Sequence, residues 1–179
     1  NIFDARTNDY YVNDTVLAGD LYTAAAGSDA NDGRTRWTPK RTITNLLSTY
    51  DLDSGDTVYI DTATNGHAYG TRVAPSDADG TVASPITFIG PTNGAKAEFI
   101  SSARSAFEFT NAANVRVRAL TIRSYTNGII IWDGSTNIRI VGNSFRSNSS
   151  TSITITGSGA DGNYVLSNSF HGANMGNNA

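Results

Sequence analysis

A chain of 179 residues with a formal charge of −3 and no cysteine is long enough to bury one core, and it excludes disulfides, thiolate metal sites and a cysteine nucleophile. The acidic balance argues against nucleic acid or an anionic membrane surface as partner, and no apolar run reaches the roughly 18 residues of a membrane span. Lysine occurs only at Lys40 and Lys96 and glutamate only at Glu98 and Glu108, while Gly, Asn, Ser and Thr abound. That is poor material for helices and good material for short strands joined by tight turns.

The chain opens at Asn1 without a signal peptide, so it reads as processed or cut from something longer. Tyr10 and Tyr11 fall in a first strand. In "TPKRTITNLLSTY", Thr38 is an N-cap candidate and Pro39 suits the first helical position. Ile43, Leu46, Leu47 and Tyr50 then recur at i, i+3, i+4 and i+7, the apolar stripe of a short amphipathic helix. A helix placed ahead of many strands reads as a cap that covers core and strand edges. "GDTVYIDT" begins the strand region with Val58 and Ile60 inward, and "SPITFIGP" continues it with Ile86 and Phe88.

Beyond Ala103 the chain repeats itself. "NVRVRALTIRS" (Asn114 to Ser124) returns as "NIRIVGNSFRS" (Asn137 to Ser147). In the first copy Val115 and Val117 share one face and Arg116 and Arg118 the other. Past Ala119 the alternation restarts, with Leu120 and Ile122 inward and Thr121 and Arg123 outward. "NGIIIWDG" adds a third strand with Ile129 and Ile131 inward. The second copy follows the same plan through Ile138, Ile140, Phe145, Ile153 and Ile155, and a third starts at "GNYVLSNSFHG". Phe107 and Phe109 belong to a partial earlier copy. Equivalent positions therefore run Ile122, Phe145, Phe170 and Phe107, Ile129, Ile153, with about 22–25 residues per coil.

A period of that length signals a solenoid. Three short strands per period and no crossover helix predict an all-β, right-handed, single-stranded parallel β-helix of three sheets, with the short helix as its N-terminal cap. The whole chain reads as one domain: residues 1–55 as first strand and cap, residues 56–179 as coils, the last of them open after "GANMGNNA". An open coil is expected to stack on neighbouring modules or identical chains.

The stretches "GSDANDGRTRWTPKRTITNLL…GDTVYIDT" and "GTVASPITFIGPTNGAKAEFI" resemble the opening coils of pectate-lyase-like right-handed β-helix proteins. "NIFDARTNDYYVND" is similar to junctions ahead of such modules in large secreted bacterial proteins. The resemblance implies a secreted or cell-surface bacterial protein. It leaves function open among polysaccharide lyases, glycosidases, phage tailspikes, adhesins and surface repeats.

The lyase chemistry of such proteins needs a Lys or Arg base and a calcium ion or basic group on the uronate carboxylate. Past Asn111 the carboxylates are Asp133 and Asp161, both in glycine-containing turns, and no lysine follows Lys96, itself in a turn. Of the glycosidase motifs only Phe170-His171-Gly172 echoes one, and a carboxylate pair is not visible. Asp51, Asp53 and Asp56 read as a polar loop, and Asp29, Asn31 and Asp32 as a turn lacking the bidentate Glu of a calcium loop. His67 reads as a loop residue. Catalytic and metal residues are therefore assigned as none, and no cofactor is called for, calcium finding no convincing site.

One outward pattern remains. The period stacks Arg123, Arg146 and His171 in one column, and Arg116, Arg139 and Tyr164 in another. Guanidinium ladders suit carboxylate or sulfate, so these six are the candidate contacts for acidic polysaccharide. The competing account is that arginine is simply a tolerable outward strand residue whose stem covers apolar neighbours. The sequence thus favours a non-catalytic, adhesin-like extracellular module. Its alternative is a polysaccharide lyase or a fragment of one, with Arg146 or Arg123 as base.

Overall fold

A computed structural model describes residues 8–62, 72–75, 78–94 and 97–172. In chain order the elements are β1 (Asp9–Val12), α1 (Ile43–Thr49), β2 (Thr57–Ile60), β3 (Ile86–Ile89), β4 (Ala97–Ile100) and β5 (Ser105–Phe109). There follow β6 (Val115–Arg118), β7 (Leu120–Arg123), β8 (Asn127–Ile131), β9 (Arg139–Val141), β10 (Ser144–Arg146), β11 (Thr151–Ile155), β12 (Tyr164–Leu166) and β13 (Ser169–His171). His67, Lys96 and residues 173–179, the expected open tail, lie outside the described residues.

The strands form three parallel sheets. The first runs β1-β2-β3-β6-β9-β12, the second β4-β7-β10-β13 and the third β5-β8-β11. From β3 onward the chain visits the sheets in turn, one strand each, so like strands of successive coils become neighbours. This arrangement is consistent with a parallel β-helix. The expected columns are register facts: Ile122 faces Phe145 and Phe145 faces Phe170, while Phe107 faces Ile129 and Ile129 faces Ile153. Inward residues of the middle coils, from Ile86 and Phe88 through Ile138 and Phe145, are fully buried in one continuous core.

What bends each strand into the next is a column of left-handed residues. Ala119 (φ 57°), Gly142 (φ 66°) and Ser167 (φ 54°) turn the first sheet into the second, and Ser124 (φ 68°), Ser147 (φ 50°) and Gly172 (φ 60°) leave the second. Asn114 (φ 54°), Asn137 (φ 54°) and Gly162 (φ 64°) enter the first sheet. A left-handed residue reverses the inward–outward alternation without spending a loop, which is why the parity restarts after Ala119.

The corners leave backbone groups that no strand can pair, and asparagines take them. Buried Asn143 accepts from the Leu120 amide (3.0 Å) and donates to the Val117 carbonyl (3.0 Å). Asn168 does the same for the Asn143 amide (2.8 Å) and the Ile140 carbonyl (2.8 Å). Asn148 accepts from the Tyr125 amide (3.2 Å) and Asn163 from that of Ile138 (2.8 Å).

The helix begins later than the sequence predicts. Its N-cap is Thr42, not Thr38, with the Thr42 hydroxyl accepting from the Asn45 amide at 3.1 Å. Lys40 is instead bridged to β1: its amide donates to the Tyr11 carbonyl and the Asn13 amide donates to the Lys40 carbonyl, both at 2.9 Å. The Asp29 carboxylate then takes the Arg41 and Thr42 amides (3.1 and 3.0 Å) and sets the helix start. Ile43 and Leu46 are fully buried with Tyr10 and Val12, and Leu47 and Tyr50 pack at the margin, so the apolar stripe is as read.

Candidate functional site

The six candidate contacts stand in register but on two different sheets. Arg116, Arg139 and Tyr164 are successive rungs on the outer face of the first sheet. Arg123, Arg146 and His171 are successive rungs on the second. The corner column Ala119, Gly142, Ser167 lies between them, so they do not make one stripe.

The first-sheet face holds more than the sequence reading assigned to it. Beside Arg116 and Arg139 runs a second outward column: Tyr11, Tyr59, Ile89, Arg118, Val141 and Leu166. The Tyr11 and Tyr59 rings stack at 5.4 Å with planes 19° apart, and Tyr22 tilts onto Tyr59 at 4.8 Å. Arg118 had a signal, since it shares the outward parity of Arg116 in "VRVR". The tyrosines had none, because the step from Tyr11 to Tyr59 exceeds the later period.

Tyr22 is placed by a buried carboxylate. Asp61, fully buried, accepts from the amides of Leu21 (2.8 Å), Tyr22 (2.7 Å) and Thr23 (2.7 Å). This pins residues 21–23 beside β2, and the Tyr22 hydroxyl reaches past β3 to donate to the Gly90 carbonyl at 2.9 Å. Asp20 beside it accepts from Thr62 (2.6 Å) and Asn13 (2.7 Å). Burial holds the Asp20 carboxyl above its ordinary pKa, with the Thr62 hydrogen bond pulling the other way.

Among the described residues Arg116, Arg118 and Arg139 form no ion pair. Arg139 is oriented by donating from Nε to Asn137 Oδ1 (3.2 Å), and its guanidinium lies 5.8 Å from the Tyr164 ring centre. Arg139, Tyr164 and Asp161 line a shallow groove of about 520 Å3 with Asn137 and Val82. Parallel neighbours lie roughly 4.8 Å apart, so three half-buried guanidinium groups sit within two rungs of one another on an otherwise acidic protein. Like charges so placed repel, and a bidentate carboxylate or sulfate relieves that repulsion. On the second sheet Arg123 Nη2 reaches Glu98 Oε2 at 3.5 Å, and Arg146 Nε donates to Ser144 Oγ at 3.2 Å.

The acidic turns are occupied by the backbone. Fully buried Asp56 accepts from the Asn8 (2.7 Å) and Asp53 (3.0 Å) amides. Asp32 accepts from the Arg34 amide (3.0 Å) and the Thr38 hydroxyl (2.6 Å), and Asp133 from the Ser158 amide (2.6 Å). Among the described residues no three His, Cys, Asp or Glu side chains gather as metal ligands would.

No family model, curated protein or solved structure matches the chain. The resemblance to pectate-lyase-like proteins therefore rests on the quoted stretches alone, while the order of the strands supports a parallel β-helix.

Proposed function

We propose that this chain is a non-catalytic module of a bacterial secreted or cell-surface protein, built as a right-handed pectate-lyase-like β-helix, that supplies rigid length and binds acidic polysaccharide. The hand follows from a general rule: a strand that crosses over to a parallel neighbour in its own sheet does so right-handedly in about 98% of cases. The observation that carries the binding is the register pair Arg116 and Arg139, with Arg118 in the adjoining outward column, all three unpaired with acids among the described residues. A linear polyanion laid along the stack meets one rung after another, and its acid groups replace mutual repulsion with bidentate pairing.

The rigid-length part rests on the last described coil. Val165 (40% exposed) and Phe170 (46%) occupy register positions whose neighbours Ile140 and Phe145 are fully buried. Partly exposed apolar side chains of this kind suit a neighbouring module or an identical chain stacked against them.

Co-sedimentation with insoluble acidic polysaccharides tests the binding. Arg116→Ala/Arg139→Ala is expected to weaken retention by tenfold or more, on the scale of charged hydrogen bonds of about 1.5–3 kcal/mol, and added salt to weaken the wild type. Retention indifferent to both the substitutions and salt would remove the first-sheet face as the binding surface.

A further inference from the structure

The corner between the first and second sheets carries a shallow groove of about 410 Å3 over Ala119, Gly142 and Ser167. Its size is that of a small-ligand pocket. One side is a hydroxyl column in register, Thr121, Ser144 and Ser169, with Glu98 heading the same column beside Thr121. Its end is walled by Pro91, Thr92 and Gly94. These belong to the longer link between β3 and β4, where β6 and β7 turn on Ala119 alone. The segment that carries Tyr22 reaches the same link through the Gly90 carbonyl. Two additions to the plain coil thus meet at this one corner.

The second-sheet arginines lie outside the groove lining but touch its hydroxyl column. Arg146 Nε donates to Ser144 Oγ, and the Arg123 guanidinium reaches Glu98, the acidic member of the hydroxyl column. Arg146 keeps its charge uncompensated by acid among the described residues, while Arg123 is occupied by Glu98.

We infer that this corner groove is a binding site for an anionic sugar unit, whose ring hydroxyls meet Ser144 and Ser169 and whose carboxylate or sulfate pairs with Arg146. The inference rests on the acidic-polysaccharide reading above and adds to it a subsite, a polarity and an internal restraint. The hydroxyls supply neutral donors and acceptors that fit a polyol, and the guanidinium supplies the bidentate contact. Glu98 keeps the Arg123 end unattractive to a second acid group, so the charged group of the ligand sits over Arg146 rather than Arg123.

Calorimetric titration with hexasaccharides of galacturonate, of mannuronate and of a sulfated galactan tests it. At least one of the three is expected to bind. Arg146→Ala should weaken that binding roughly tenfold to a hundredfold, and Ser144→Val roughly threefold to tenfold. Glu98→Gln should tighten it roughly two- to fivefold by releasing Arg123, the scale of an exposed ion pair, a gain that a purely structural role for Glu98 would not produce. Binding that ignores Arg146→Ala and fails to tighten with Glu98→Gln overturns the groove. If that binding still falls with Arg116→Ala/Arg139→Ala, the first-sheet reading stands and the groove alone is lost. Failure of all three probes to bind overturns both.

Discussion

Asn143 shows how single side chains hold the coils together. It is 2% exposed and supplies partners for the Leu120 amide, the Val117 carbonyl and, across one coil, Asn168. Asn143→Ala strands a buried donor and a buried acceptor, so a loss of roughly 2–4 kcal/mol is expected in urea unfolding. Asn168→Ala, in the partly exposed last coil, should cost less. Equal costs would mean that the ladder is not what pairs the corner amides. Tyrosines give a second handle at this scale. Burial, then the charge of Asp56, pushes the Tyr10 hydroxyl from 10.0 to about 12, and burial pushes Tyr125 further up. The unfolded chain ionises these groups first, so their contribution to stability is whole below pH 10 and is lost as pH rises toward 12. Urea midpoints are expected to fall across that window, and the folded chain should ionise two fewer of its eight tyrosines than the chain in urea. Ionisation of all eight at pH 11 in a chain that stays folded would contradict the burial of these two rings.

At the scale of elements, the sequence carried the later strands closely because period and parity agree there: every pairing from Phe107 to His171 that the repeat implies is a register pair. The early coils were harder. β1 joins β2 across a long insertion, and the tyrosine column it starts has no periodic echo. The start of α1 misled for a local reason. Thr38-Pro39 has the composition of a helix entry, but the carbonyl of Tyr11 captures the Lys40 amide and Asp29 captures the next two. A long-range partner outweighed a local preference. Thr42→Ala should therefore cost about 1 kcal/mol, measured as a shift in the thermal midpoint, whereas Thr38→Ala loses two exposed hydroxyl contacts, to Asp32 and Thr35, and should cost less. The reverse order would restore the earlier start. The site was half legible for the same reasons. The two columns named from the period are real rungs, on separate sheets as the restart of parity past Ala119 implies, but sequence offers no sign that Glu98 reaches Arg123.

Considered whole, the described residues form a stack of strands whose last described coil carries half-exposed Phe170, Val165 and Ile155 and whose flanks carry rungs of positive charge on an acidic body. End-on stacking predicts reversible association that grows with concentration in sedimentation velocity and is lost in Phe170→Asp. A monomer at every concentration would remove the self-stacking reading. The central claim is binding without cleavage, and one experiment reads both halves. The protein is incubated with polygalacturonate, alginate and a sulfated galactan, and the same samples are assayed for retained protein and for new unsaturated sugar ends. The account predicts salt-sensitive retention on at least one polymer and no new ends. New ends that disappear in Arg146→Ala would contradict it and make the chain a lyase.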